Sequence, residues 1–481
     1  MNIYITGLGS GYEVEHLVRL FYPMAPLTLT PPEDGADCVW AEKRPDKLWA
    51  MVRQGGKSQT AEAPLPIPVE EGGETPEFAL ASLTYDLLRS WTGIRPPWGK
   101  MTGVRPVRLV HDKRAAGWTE EEIDDFFLKR FDCSPEKYGM AKAIADLQEP
   151  ILKVGSAPKT YSLYIGIPFC PSRCSYCSFV SCNLDRDRKL VQPYVDCLCK
   201  EVEAIRDEAD KAGLTLCSIY IGGGTPTTLE PEELERLFLK LQNTLDWSQV
   251  REFTVEAGRA DSITAEKLRV MKRYGVTRIS VNPQTMKQET LDLIGRRHTV
   301  AQTVEAFRLA REEGFDNINM DLILGLPGET KEDVEETIRR VQELGPDSLT
   351  VHSLAIKRAS RLSQWILEHG ISTLHNTDKT MAIAAQGAKQ MGMEPYYLYR
   401  QKNMSGNFEN VGYAKPEKAG IYNILIMEEV QTIMALGAGT ISKRVYGDGR
   451  IERCDNVKDV GQYIERIDEM IQRKQRLFSE E

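Results

Sequence analysis

The stretch YSLYIGIPFCPSRCSYCSF, residues 161–179, joins an apolar run typical of a buried strand to a loop that contains three cysteines. The apolar run comes first, and Cys170, Cys174 and Cys177 follow directly after it. The same arrangement, a short apolar run that ends in polar or glycine-rich residues, occurs again further along the chain. The stretch therefore predicts the first unit of a repeated strand–helix fold with functional residues at the strand ends.

The later apolar runs are each followed by a segment of helical character. They read CSIYIGGG, EFTVEA, RISVN, NINMDLILG and SLTVHSL, and the helical segments include PEELERLFLKLQNTL, TAEKLRVMKRYG, TVEAFRLAREEG and KEDVEETIRRVQELG. Near-continuous apolar strands that alternate with helices are typical of a parallel sheet covered by helices. Because these units are too few for a complete eight-stranded barrel, we expect an α/β fold, a partial (β/α)6 TIM-like barrel.

The barrel pattern occupies only part of the chain, since 481 residues exceed one ordinary domain. Residues 1–155 are predicted to form an N-terminal α+β accessory domain, with a strand at MNIYITGL and a hairpin at VWAEKRPDKLWAMVRQ. Residues 156–358 are predicted to form the barrel. Residues 359–481 have a mainly helical pattern that ends in a long charged helix after Asp455, and we expect a C-terminal family-specific region.

Composition and charge restrict the class of protein. The chain is 41% apolar and 27% charged, which is typical of a folded globular protein. A net charge of −9 argues against general, non-specific binding of nucleic acid. Glu13 and Glu15 lie where a signal peptide needs an apolar stretch, and no apolar run reaches the roughly 18 residues of a membrane span. We therefore expect a cytoplasmic protein with no nucleic-acid partner and no membrane span.

The predicted barrel strands end in chemically functional residues. The first leads into the three cysteines and the second into GGGTPT, and the others end at Glu256, at Asn282 and Gln284, at Asp321, and at His352 and Ala355. In a parallel α/β barrel all these strand ends meet at one rim, where active sites lie. We therefore expect a single pocket shared by all of them.

The three clustered cysteines allow several interpretations. Structural zinc usually takes two CxxC pairs, and no second pair follows at the usual spacing. A redox pair of Cys174 and Cys177 leaves Cys170 unexplained. Three thiolates on one loop can also hold three irons of a [4Fe–4S] cluster, which leaves the fourth iron open to an amine and a carboxylate. S-adenosylmethionine offers both groups, and we favour this interpretation.

The motifs YIGIPFCPSRCSYCSF, GGGTPT and MDLILGLPGET closely resemble those of the radical S-adenosylmethionine (radical SAM) superfamily. More narrowly, they resemble the oxygen-independent coproporphyrinogen III oxidase family (HemN/HemZ type, coproporphyrinogen dehydrogenase), and the long N-terminal region favours the HemZ-like branch. The resemblance implies a [4Fe–4S] cluster on Cys170, Cys174 and Cys177. It implies cofactor contacts at Tyr164, Tyr176, Gly223, Gly224, Thr225, Glu256, Gln284, Arg296, Asp321 and Ala355, with a second S-adenosylmethionine near Gln284, Arg296 and Asp321.

The activity implied by the resemblance is oxidative decarboxylation of coproporphyrinogen III to protoporphyrinogen IX in oxygen-independent heme biosynthesis. The implied partners are a tetrapyrrole substrate and an electron donor such as flavodoxin or ferredoxin. One position departs from the oxidase pattern, because Phe179 lies where the oxidases have a fourth cysteine, as in the heme-chaperone relatives. A heme-binding chaperone and radical chemistry on another tetrapyrrole therefore stay as alternatives, with Cys182 as a possible substitute for the missing thiol.

The N-terminal region has a repeated motif of its own, TGIRP at 92–96 and TGVRP at 102–106. One interpretation is a proline-locked loop whose arginines bond to nearby carbonyl groups. The alternative is a lid that grips a flat acidic substrate, because guanidinium groups pair bidentately with carboxylates. The residues of this lid would be Arg95, Lys100, Arg105 and Arg108, with Trp91 and Trp98.

Overall fold

The computed structural model describes residues 1–23, 25–65, 75–103, 105–155, 159–355, 362, 376–401 and 408–479. Its internal contacts divide the chain into two compact units, Met1–Lys142 and Ala143–Glu481. The three-part division expected from the sequence, with boundaries at residues 155 and 358, stays a prediction.

The first unit is an α+β structure built on a five-stranded sheet. Its strands are β1 Asn2–Thr6, β2 Leu27–Thr28, β3 Cys38–Lys43, β4 Lys47–Gln54 and β5 Lys57–Pro64, in the order β2-β1-β3-β4-β5. Its helices are α1 Tyr12–Arg19, α2 Pro76–Thr92, α3 Pro106–Ala115, α4 Glu120–Asp125 and α5 Pro135–Gly155, of which the last continues into the second unit. The predicted first strand and the predicted hairpin, which is the antiparallel pair β3–β4, are confirmed.

The first TGxRP segment and the residues that follow it are held by side chains of this unit. Arg95 pairs with Asp132 at 2.8 Å, and Lys100 pairs with Asp86 at 2.9 Å. Trp98 is fully buried. Groups that are already paired or buried are poorly placed to grip a ligand, so these contacts favour the structural interpretation over the lid.

The second unit contains the barrel. Its strands are β6 Thr160–Ile167, β7 Phe169–Cys170, β8 Cys182–Asn183, β9 Thr215–Gly223, β10 Glu252–Gly258, β11 Arg278–Val281, β12 Ile318–Leu324, β13 Ser348–Ser353, β14 Glu394–Tyr399, β15 Asn410–Ala414, β16 Thr432–Leu436, β17 Ile441–Val445 and β18 Ile451–Asp455. Its helices are α6 Leu184–Asp187, α7 Val191–Lys211, α8 Pro231–Thr244, α9 Ala265–Arg273, α10 Gln288–Leu293, α11 Val300–Glu312, α12 Lys331–Leu344, α13 Asp378–Gln390, α14 Ile421–Glu428, α15 Val460–Glu465 and α16 Ile467–Ser479.

The predicted partial barrel is confirmed. Strands β6, β9, β10, β11, β12 and β13 pair in this order, and every pair among them is parallel. Threonine side chains begin three of the covering helices, because Thr264, Thr299 and Thr330 each accept a hydrogen bond from a backbone amide of the first turn. The carboxyl ends of the strands therefore meet at one rim.

The C-terminal region contains strands that its sequence pattern did not predict. Beside helices α13 to α16 it contributes β14 to β18, and these extend the sheet at both edges to eleven strands, in the order β14-β15-β13-β12-β11-β10-β9-β6-β16-β17-β18. The expected long helix after Asp455 is divided into α15 and α16. Short apolar runs such as TIMAL in β16 do not distinguish a strand from a buried helix by periodicity, so strand pairing decided the outcome.

Within the ranges that the structure describes, no helix combines the length and the apolar character needed to cross a bilayer.

Candidate active site

The rim of the barrel surrounds a cavity of about 380 Å³. Every residue that the sequence singled out as a metal or cofactor position lines it: Tyr164, Cys170, Cys174, Tyr176, Cys177, Gly223, Gly224, Thr225, Glu256, Gln284, Arg296, Asp321 and Ala355. The structure therefore brings the whole set together, and the role of each residue stays a prediction.

The three cysteines belong to the loop that β7 opens, and all three are half-buried free thiols. Thr225 Oγ1 donates a hydrogen bond to Cys170 Sγ at 3.6 Å. Among the described residues no three His, Cys, Asp or Glu side chains lie close enough to bind one metal ion. A four-iron cluster does not need that proximity, because each thiolate binds a different iron.

The glycine run at the end of β9 leaves the backbone without side chains beside this loop. Gly223 has a φ of 105°, a conformation that residues with a Cβ rarely adopt. A Cβ added at Gly224 would lie 3.0 Å from Cys170 Sγ and 2.7 Å from the carbonyl oxygen of Phe169. The run is therefore required by the close approach of the cysteine loop. Its Gly224 and Thr225 amides donate to Ile167 O and Phe169 O, each at 2.8 Å, and so hold the run against that loop.

Glu256 lies on the inner face of the barrel beside the glycine run. Tyr220 donates a hydrogen bond to its Oε1 at 2.5 Å. Burial raises the pKa of Glu256 to about 7, although the bond from Tyr220 opposes that rise. Tyr220 was not singled out from the sequence, but its place two residues before Gly222, on the same face of β9, is the signal that points to it.

The raised pKa of Glu256 makes the stability of the folded chain depend on pH. The folded protein holds this proton with a pKa of about 7, against an ordinary value of 4.5. The stabilisation is therefore complete below about pH 4.5 and is lost as the pH rises through 7. Between pH 5 and pH 8 we expect the cofactor-free wild type to lose about 2 kcal/mol more than Glu256→Gln, measured by thermal unfolding.

The matched control for this prediction is Glu335→Gln, at an exposed glutamate of α12 that pairs with Lys331. This variant should keep the pH dependence of the wild type. Equal pH dependence in the wild type and in Glu256→Gln would contradict the prediction.

Gln284 is held in a strained conformation at the next strand end. Its φ is 69°, which is uncommon for a residue other than glycine and is typical of functional sites. Two bonds to β12 fix it, since its N–H donates to Asp321 O and Ile323 N–H donates to its carbonyl oxygen, each at 2.9 Å. The strain is therefore maintained by the neighbouring strand.

Buried polar atoms without partners lie around Gln284. Gln284 Oε1, Arg296 Nε and Asn282 Oδ1 are all buried and make no hydrogen bond. Buried polar groups are nearly always satisfied, by protein, water or ligand. These atoms therefore fit a polar ligand in the cavity, and Gln284 and Arg296 are two of the predicted cofactor contacts.

Asp321 stays ionised despite its burial. Burial raises its pKa, but hydrogen bonds from His352, Asn319 and Thr350 outweigh this effect and hold the pKa below its ordinary value. Asn319 Nδ2 donates to Asp321 Oδ1 at 2.7 Å, and His352 Nε2 lies 3.9 Å from Oδ2. The carboxylate is therefore an acceptor fixed in the cavity wall, ready for hydroxyl or ammonium donors.

Arg259, which the sequence did not reveal, anchors the cysteine loop. Its Nη1 donates to Ser172 O at 3.1 Å and to Ser172 Oγ at 2.7 Å. Asp261 holds the other side of the guanidinium with bonds of 3.0 and 2.6 Å. Ser172 lies between Cys170 and Cys174, so Arg259 fixes the geometry of the predicted cluster ligands.

Replacement of Arg259 by alanine is expected to weaken cluster retention, because it removes both contacts to Ser172 and leaves Asp261 without its partner. We expect reconstituted Arg259→Ala to hold at most half of the wild-type iron and sulfide, measured by chemical analysis. Arg269→Ala is the matched control, since Arg269 is exposed and pairs with Glu313 away from the loop. Wild-type iron content in Arg259→Ala would contradict the prediction.

Phe179, the position where the oxidase pattern has a cysteine, lies at the edge of the cavity and is 63% exposed. The possible substitute Cys182 begins β8, where its amide donates to Pro168 O at 2.7 Å. Cys182 is not one of the described residues that line the cavity. Among the described residues, the cysteines that line the cavity are therefore Cys170, Cys174 and Cys177.

The fold and the site define a radical SAM protein, and comparison with known proteins supports this class. Residues 164–341 match the model of the radical SAM superfamily. The oxygen-independent coproporphyrinogen-III oxidase-like protein HemZ of Bacillus subtilis (strain 168) is 40% identical over 405 residues, or 82% of this chain and 80% of that protein. Heme chaperone HemW of the same strain is 39% identical over 197 residues, which cover 41% of this chain and 51% of that protein.

A solved structure agrees with these relatives. The coproporphyrinogen III oxidase HemN from Escherichia coli has a TM-score of 0.51 and 25% identity, with 68% of this chain and 73% of that chain covered. The present chain belongs to the radical SAM superfamily and, within it, to the HemN/HemZ family of oxygen-independent coproporphyrinogen III oxidase-like proteins. Its cofactors are accordingly a [4Fe–4S] cluster and S-adenosylmethionine.

Proposed function

We propose that this protein oxidatively decarboxylates two propionate side chains of coproporphyrinogen III to vinyl groups, giving protoporphyrinogen IX. The observation that carries the proposal is the meeting of Gln284, Arg296 and Asp321 with Glu256 in one cavity, where buried polar atoms lack partners. The relative named as coproporphyrinogen-III oxidase-like and the solved oxidase support the substrate class. In each side chain, –CH2–CH2–COO⁻ becomes –CH=CH2: one hydrogen atom passes to the radical derived from S-adenosylmethionine, carbon dioxide leaves, and one electron passes to a one-electron acceptor.

The residues of the cavity have distinct tasks in this proposal. Cys170, Cys174 and Cys177 hold the cluster, which together with S-adenosylmethionine supplies the radical that removes the hydrogen atom. The backbone around Gly223 and the Glu256 carboxylate receive the amino-acid part of S-adenosylmethionine. An electron donor such as flavodoxin or ferredoxin delivers the electron that the cluster needs.

Three further residues receive a second S-adenosylmethionine in the same proposal. The ionised Asp321 carboxylate accepts hydrogen bonds from hydroxyl or ammonium donors. Gln284 Oε1 and Arg296 Nε supply an acceptor and a donor that are otherwise unpartnered. These residues orient the ligand and hold no transferred proton themselves.

A heme-binding chaperone is the second candidate function. Phe179 favours it, because this apolar side chain is exposed at the cavity edge in place of a fourth cysteine. The match to heme chaperone HemW supports the same class. In that case the cluster is kept, and the protein transfers heme instead of decarboxylating a porphyrinogen.

The two functions are separated by anaerobic reconstitution with iron and sulfide, followed by incubation with coproporphyrinogen III, S-adenosylmethionine and a chemical reductant. Vinyl products together with 5′-deoxyadenosine support the oxidase. Stoichiometric heme binding in a Soret titration, without any vinyl product, supports the chaperone and overturns the oxidase proposal. Formation of 5′-deoxyadenosine without vinyl products and without heme binding would support only the superfamily assignment and would reject both functions.

A further inference from the structure

The inner end of the cavity contains a charged residue that has no task in the proposed function. Arg278 is the first residue of β11, at the opposite end of the strand from the rim, and it lines the cavity although only 2% of it is exposed. Its Nη2 donates to Ser348 Oγ at 3.0 Å. Its Nε is buried and makes no hydrogen bond. A buried guanidinium normally has a carboxylate partner, because burial of an unpaired charge is costly.

The acidic groups nearest to Arg278 are engaged elsewhere. Glu252, the first residue of β10, accepts the backbone amides of Ile421 at 2.7 Å and Tyr422 at 3.1 Å. Glu256 accepts the hydroxyl of Tyr220. Among the described carboxylates none forms an ion pair with Arg278. Glu252 and Glu256 therefore act on the charge of Arg278 through space, without a hydrogen bond to its guanidinium.

The rest of the inner cavity is polar and uncharged. Its lining includes Ser280, Asn319, Thr350 and Asn423. Thr254, which lies beside Arg278 in the neighbouring strand, has a buried hydroxyl without a partner. An unpaired guanidinium among neutral polar groups, at the closed end of a cavity, is suited to receive a carboxylate through two parallel hydrogen bonds.

We propose that Arg278 forms a carboxylate-binding subsite at the inner end of the cavity and orients a ligand whose other end lies near the rim. The proposed function brings two such carboxylates to this cavity, and the inference rests on that function. One is a propionate of the tetrapyrrole, and the other is the amino-acid carboxylate of S-adenosylmethionine. The shared chemistry is a carboxylate paired with a buried arginine.

The test compares the reconstituted wild type with Arg278→Gln in anaerobic binding titrations. The first arm uses coproporphyrin III and its tetramethyl ester, and the second uses S-adenosylmethionine and methylthioadenosine, which lacks the carboxylate. We expect the Kd of one free carboxylate ligand to rise at least tenfold, while its carboxylate-free counterpart binds as before. The arm that responds identifies the source of the carboxylate.

Unchanged Kd values for both carboxylate ligands would overturn the inference. An equal loss for a ligand and its carboxylate-free counterpart, with a lowered Tm, would overturn it as well, since that pattern indicates a structural arginine. Failure of the wild type to bind coproporphyrin III would reject the proposed substrate while leaving the S-adenosylmethionine arm as the test of Arg278. Arg269→Gln, on the outer surface, is the matched control and should leave both titrations unchanged.

Discussion

Replacement of Cys174 by alanine is expected to abolish cluster binding and all radical chemistry. Cys174 is the middle ligand of the predicted set, and the Arg296 guanidinium and the Tyr176 hydroxyl both interact with it. Two thiolates cannot hold a cluster that needs three, and no other cysteine lines the cavity among the described residues. We expect iron and sulfide below a tenth of the wild-type content after reconstitution, and no 5′-deoxyadenosine above background.

The matched controls are Cys182→Ala and Cys197→Ala. Cys182 is the nearest thiol along the chain outside the loop, and Cys197 is buried in α7, where its Sγ lies 3.9 Å from Ile464 O. Both variants should keep the wild-type iron content and 5′-deoxyadenosine formation. Loss of the cluster in Cys182→Ala would show that a fourth thiol takes part, and a full cluster in Cys174→Ala would show that the predicted ligand set is wrong.

The barrel and its rim could be predicted because their signals are local. Each strand is a continuous apolar run, several covering helices begin with a capping residue such as Thr264 or Thr330, and the strand ends have distinct polar or glycine-rich residues. Parallel strand ends must meet, so Glu256 and Asp321 could be placed together without knowledge of any contact. The sequence was sufficient to predict the barrel strands, the covering helices and the residues at the strand ends, because these depend on periodicity and on order along the chain.

The supporting residues could not be predicted because their partners are distant in sequence. Arg259 is separated from Ser172 by strands β8 to β10 and helices α6 to α8. Nothing in GRADS, residues 258–262, shows which loop Arg259 contacts. Arg278 looks like an ordinary charged residue at a strand start, and its burial becomes visible only in the folded barrel. Strand β16 reads as any short apolar run until it pairs with β6.

A buried ion pair outside the cavity joins helix α7 to the C-terminal helix α16. Glu201 of α7 accepts hydrogen bonds from Lys474 Nζ at 2.6 Å, Asn456 Nδ2 at 2.9 Å, Tyr463 OH at 2.5 Å and Gly437 N at 2.8 Å. Its carboxylate and the Lys474 side chain are 0% and 2% exposed. The turn at Gly437 in turn lies against β6, because an added Cβ there would be 2.5 Å from Gly166 O.

Replacement of Glu201 by alanine is expected to destabilise the second unit by about 3–5 kcal/mol, because Lys474 is left charged and buried without its partner. The loss should lower the Tm of the barrel transition and, through Gly437 and β6, reduce the iron that the cysteine loop retains. Thermal unfolding and iron analysis of the reconstituted protein measure the two effects. Glu201→Leu combined with Lys474→Met removes both charges and should recover part of the stability.

The matched control is Glu208→Ala on the same helix. Glu208 is also buried, but its partner Lys211 is 68% exposed at the side chain, so removal of Glu208 leaves that ammonium in water. We expect Glu208→Ala to cost about 1 kcal/mol or less. Equal destabilisation by Glu201→Ala and Glu208→Ala would contradict the prediction, because the expected difference comes from the buried charge that only Glu201→Ala leaves without a partner.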